Sequence, residues 1–155
     1  MRLNQKLPWW VSAIGIILVL GIIPFHLFMS WNASQPRMTY YALNAFEKCV
    51  NDYAFEVETI PGPTLQDAMI LILKKSQTNE NLKKTLDSIG DTSFSFLMRN
   101  QDGWKRSFVY EQKDDGFLIT LRSVGENGRD EEGKGDDLQR RIDLRWMKPD
   151  NEEKK

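Results

Sequence analysis

Only one cysteine, Cys49, and one histidine, His26, occur in these 155 residues. A lone cysteine has no partner within the chain, so no internal disulfide staples the fold. One Cys and one His also leave a four-ligand zinc site without donors. His26 sits in an apolar run, away from any nucleophile it could activate, so neither a Ser-His-Asp nor a Cys-His set can be assembled. Excess charge is missing too: 21 Lys and Arg stand against 22 Asp and Glu, a net charge of −1. The basic residues are scattered rather than laid along one stripe, which argues against a nucleic-acid partner. Acids are plentiful, as at Asp114, Asp115, Asp136 and Asp137, but paired acid/base catalysis needs a cleft and shifted pKa values that adjacent acids on a loop do not supply. The expectation is a protein that is not an enzyme and takes no small-molecule substrate. At this length, with 41% hydrophobic residues, there is room for one membrane segment and one small domain.

Charge is absent altogether between Trp9 and Trp31, a run of 23 residues. At about 1.5 Å per residue this crosses a hydrocarbon core of about 30 Å. Trp9, Trp10 and Trp31 mark the two interfaces, and Arg2 and Lys6 precede the run, which predicts a cytoplasmic N-terminus. A cleavable signal peptide, the competing reading, wants a shorter apolar core and a small-residue cleavage site. The sequence therefore predicts a cytoplasmic stub at 1–8, a transmembrane helix at 9–31, an exported domain at 32–147 and a polar, disordered tail at 148–155. Within the run, Pro24 is expected to kink the helix, and His26, ionisable at membrane depth, is a functional candidate by default.

Beyond the run, Asn32 or Ser34 followed by Pro36 reads as a helix start. Met38, Tyr41, Ala42, Ala45, Phe46, Cys49, Val50 and Tyr53 then recur at helical spacing and predict one apolar stripe over 38–53. Pro61-Gly62-Pro63 breaks the chain. Thr64 with Asp67 predicts a capped helix to Lys74, and Leu82, Leu86 and Ile89 a further helix closed by Gly90. From Ser93 the apolar residues alternate at Phe94, Phe96 and Met98, predicting a strand. A second strand is expected to carry Trp104, Phe108 and Tyr110, a third to span Phe117–Val124, and an edge strand Ile142–Trp146. The fold class is α+β: a transmembrane helix leading into an amphipathic helix packed on a small antiparallel sheet of three or four strands.

From Gly125 to Asp137 no side chain is apolar, six residues are Asp or Glu, and Gly125, Gly128, Gly133 and Gly135 permit reversals at positive φ. Such a loop can offer a hard cation the six to eight oxygens that calcium takes, with Asp130 among the candidate ligands. A hydrated acidic turn is the plainer alternative. The EF-hand spacing is absent.

Ser123-x-Gly125-x-Asn127-Gly128, then a stretch rich in glycine and acids, then Asp136-Asp137-Leu138, resembles the C-terminal calcium loop of the type II secretion major pseudopilins. Upstream, Asp102-Gly103-Trp104-Lys105-Arg106-Ser107-Phe108-Val109-Tyr110 is similar to that family's D-x-W-G-x-P-(F/Y)-x-Y strand, with Lys105 and Ser107 in place of Gly and Pro. The resemblance implies a pilin-like fold and a structural calcium ion. It also implies Asn127, Asp136 and Asp137 as side-chain ligands and Val124 as a backbone-carbonyl ligand. The partners it implies are the membrane and other pseudopilin-like subunits or inner-membrane components of the secretion system. The implied site of action is the bacterial inner membrane, with the C-terminal domain in the periplasm. The family's G-F-T-L-x-E processing site and the acid just inside its apolar segment have no counterpart here. That departure keeps a second reading open, a membrane-tethered, calcium-dependent binding module that does not polymerise.

Overall fold

The structure, a computed structural model, describes residues 23–148. The apolar run before Ile23 and the tail after Lys148 lie outside the described residues. Among the described residues no helix is long and apolar enough to cross a membrane. The chain divides into two units between Ser34 and Gln35, and all the packing below belongs to the second.

Among the described residues the fold is α+β, with four helices followed by a three-stranded antiparallel sheet. Helix α1 spans Ile23–Val57. The expected start at Asn32 or Ser34 is not a boundary, because the helix runs through Pro36. Proline removes one intrahelical hydrogen bond, and the helix tolerates that loss here. The predicted stripe holds from Ala42 onward, where Ala42, Ala45, Phe46, Cys49, Val50 and Tyr53 are buried, but Met38 and Tyr41, expected in it, are exposed.

Helix α2 covers Leu65–Ser76. Its cap is Thr64, whose Oγ1 accepts from the amide of Asp67 at 3.1 Å and donates to Asp67 Oδ2 at 2.7 Å. Helix α3 covers Glu80–Ile89, capped by Asn79 Oδ1, which accepts from the amides of Asn81 and Leu82, and closed by Gly90 at φ 76°.

Residues Asp91–Arg99 form helix α4, not the strand that their alternation predicts. The segment Phe94-Ser95-Phe96-Leu97-Met98 fits both periods, since Ser93 and Leu97, four apart, are the pair that goes inward. Asn100 ends the helix in the left-handed conformation at φ 51°. Asparagine tolerates that region better than most residues, and such a C-cap satisfies the last carbonyls.

Strand β1 is Val109–Lys113, β2 Leu118–Ser123 and β3 Leu138–Asp143, in the order β1-β2-β3. Trp104 and Phe108, expected in the first of these strands, precede it. The last strand lies four residues earlier than the predicted Ile142 start, and Arg145–Met147 form a single 3-10 turn instead. Register places Ile119 against Gln112 and Ile142, and Leu121 against Tyr110 and Arg140. Because strand side chains alternate, these residues share the face that meets α1, where the rings of Phe46 and Tyr110 pack edge to face at 6.0 Å. Arg140 reaches α1 through Asn44 at 2.7 Å and Glu47 at 3.3 Å, and lies over the ring of Tyr40.

Candidate cation loop

The fourteen-residue connection between Ser123 and Leu138 carries the acidic motif. Four glycines reverse the backbone here, with φ between 59° and 84°. At Gly125 a side chain would run into the backbone and carboxylate of Asp136.

With no apolar side chain to bury, the loop is organised by its acids. Asp137, whose side chain is fully enclosed, accepts through Oδ2 from the amides of Glu131 at 2.8 Å and Gly133 at 3.0 Å. Asp136 Oδ2 accepts from the amide of Asn127 at 2.8 Å. Each carboxylate then has an oxygen left over. Asp136 Oδ1, Asp137 Oδ1 and Glu131 Oε2 are all buried without a hydrogen-bond partner. Glu131, Asp136 and Asp137 each offer an oxygen, and the three oxygens lie within 4.8 Å of one another. Two oxygens on opposite sides of a calcium ion, at about 2.4 Å each, are about 4.8 Å apart, so the cluster has the span that such an ion occupies. Like charges about 4 Å apart repel by roughly 1–4 kcal/mol per pair, depending on local dielectric. A counter-charge, Arg122 Nε, lies 4.0 Å from Asp137 Oδ2.

Of the five residues expected at the site, Asp136 and Asp137 are brought together. Asp130 is turned away: its two oxygens each accept from Arg122 at 2.8 Å. That pairing, reinforced by the amide of Glu132, holds its carboxyl below the usual aspartate range. Arg122 is raised in turn, chiefly by Asp130. Asn127 donates its amide to Asp136, but its side-chain oxygen accepts from the amide of Arg129 at 2.6 Å. Val124 is half-buried at the entrance to the loop. Glu131 was not singled out by the sequence reading. Its signal is Gly135, four residues on, where any side chain would collide with the Glu131 carboxylate.

The two motifs singled out in the sequence meet in space. Asp102 is fully buried. Its Oδ1 accepts from the amides of Trp104 at 2.9 Å and Arg106 at 2.8 Å, folding 102–106 into a turn. Its Oδ2 accepts from the Ser123 hydroxyl at 2.5 Å. Arg106 donates from Nη1 to the carbonyl of Gly125, and its guanidinium lies along Gly128. On the outer face of the sheet a groove of about 350 Å³ lies over Arg122, which Glu111 at 3.2 Å and Asp130 neutralise.

The sequence matches no protein-family model, no curated protein and no solved structure.

Proposed function

We propose that this chain is a membrane-anchored, pseudopilin-like structural or accessory protein of a type II secretion or type IV pilus-like system. In this reading 9–31 anchors the chain in the bacterial inner membrane, 1–8 is cytoplasmic and 32–147 is the periplasmic domain. A calcium ion closes the β2–β3 loop. The observation that carries it is the convergence of the Glu131, Asp136 and Asp137 carboxylates, each of which also has one buried oxygen without a hydrogen-bond partner, within the segment that resembles the family's calcium loop. The ion's role is structural. An unfolded chain disperses the ligands, so binding stabilises the folded loop by about 2.7 kcal/mol when free ion is a hundredfold above its dissociation constant. Magnesium, with its tighter octahedral demand, is a poor substitute.

Calorimetric titration of the full chain in detergent should give one calcium site and a calcium-dependent rise in melting temperature, which Asp136→Ala abolishes. Because Asp136 also accepts from Asn127, that variant should lose about 1 kcal/mol even in chelator. Absence of binding at millimolar calcium returns the loop to a hydrated acidic turn.

The second reading, a tethered calcium-dependent module outside any filament, is favoured by one feature: Trp9–Trp31 contains no acid. The mass of the mature protein separates the two, since loss of an N-terminal leader belongs to a processed subunit and an intact Met1 or Arg2 start to the tethered module.

A further inference from the structure

We infer that Asp102 and Arg106 are positioning residues that couple the cation loop to the Gln35–Thr39 turn of α1. The inference rests on the cation reading above. Starting at the acids, Asp136 packs on Gly125 so closely that position 125 admits no side chain. Gly125 is gripped from both sides: its carbonyl accepts from Arg106, and its amide donates to Ser123 Oγ at 3.3 Å. Ser123 donates in turn to Asp102, and the same carboxylate fixes the amide of Arg106. The next residue, Gly103, donates its amide to Thr39 Oγ1 on α1 at 2.9 Å. Thr39 Oγ1 donates to the carbonyl of Gln35 at 2.9 Å, and Gly103 presses on that same carbonyl. Thr39, Asp102 and Ser123 are each fully buried, and the two contacts of the Ser123 hydroxyl are shielded from water, where hydrogen bonds are strongest and hardest to leave unmade. Both carboxylates at its ends of chemistry, Asp102 and Asp136, hold backbone amides, so tightening one turn tightens the next.

Coupling of this kind is reciprocal: whatever the cation adds to the order of the 102–106 turn, the turn's order adds to cation affinity. Thr39 is the place to test it, being in α1 and outside the loop. In the full-length chain in detergent, Thr39→Val removes the acceptor for Gly103 at nearly constant shape, and Thr39→Ser keeps it. Calcium titration should show Thr39→Val binding about fivefold or more weakly than wild type, with Thr39→Ser restored. Hydrogen exchange of the wild-type chain should show calcium slowing the amides of Gly103, Trp104 and Arg106 as well as those of the loop. Thr39→Val binding calcium as wild type does, or a calcium effect on exchange confined to 124–137, overturns the coupling while leaving the cation site standing. No calcium binding by the wild type overturns the cation reading and the coupling with it.

Discussion

Between α1 and the sheet, Phe46, Val50, Ile119 and Leu121 are wholly removed from solvent, and little except shape and apolar area decides how they meet. Just beyond the end of β2, Gly125–Asp137 has no apolar side chain at all, and its conformation is dictated by carboxylates accepting from backbone amides. The first arrangement is non-directional and tolerates exchange of one hydrocarbon for another of similar volume. The second is directional, and it leaves charge over: three of its carboxylate oxygens have no partner. Burial holds the domain together without a ligand, whereas in the reading proposed above a cation completes the loop.

The largest effect that separates the two regions is Phe46→Ala, which should cost roughly 3–5 kcal/mol, as for other buried aromatic truncations. Denaturant unfolding should give the same loss in calcium and in chelator, since Phe46 touches the sheet and not the loop. A loss below about 1 kcal/mol would place Phe46 outside the core.

Glu131→Gln should behave in the opposite way. Glu131 Oε2 has no partner to lose and the substitution removes one of three repelling charges, so the chelated protein should be at least as stable as wild type. With calcium, most of the increment of about 2.7 kcal/mol at a hundredfold excess of ion should disappear. Equal stability with and without calcium in the wild type, read by thermal melting, would remove the distinction.

The smallest effect lies just past the sheet, where neither burial nor a cation acts. Arg145 holds the carboxyl of Asp143 down to about 2, through its side chain first and its backbone amide second. A depressed acid contributes stability that is present above its ordinary pKa near 3.9 and is lost as pH falls through about 2. Arg145→Met should let the Asp143 carboxyl titrate closer to its ordinary value in an NMR pH series. A midpoint that does not move means the pair is not formed in solution.

Helices α2 and α3 were legible in the sequence because they rest on local chemistry. Thr64 with Asp67, and Gly90, act where their residue types place them. Asp91–Arg99 was misread because five consecutive residues satisfy both the helical and the strand period, and the deciding stop at Asn100 is a matter of backbone conformation. The strand motif beginning at Asp102 was misplaced for a related reason: that carboxylate bends 102–106 into a turn by accepting two nearby amides, and aromatic residues in a turn look like those of a strand. At the candidate site, glycine content and acid count marked the loop correctly. They did not mark which acids converge, because Asp130 and Glu131 are neighbours in sequence and are sorted only by Arg122, which arrives from β2.

Cys49 belongs to the buried stripe of α1, where burial, with a smaller push from the Asp52 carboxylate, drives its thiol up to about 12. Exchange with other thiols and disulfides runs through the thiolate, a form almost unpopulated at neutral pH for such a group. Once folded, the domain is therefore chemically silent in either a reducing or an oxidising compartment. Its one interval of vulnerability to mispairing is the time between synthesis and the closing of α1 onto the sheet, so whatever hastens that closure also protects the thiol.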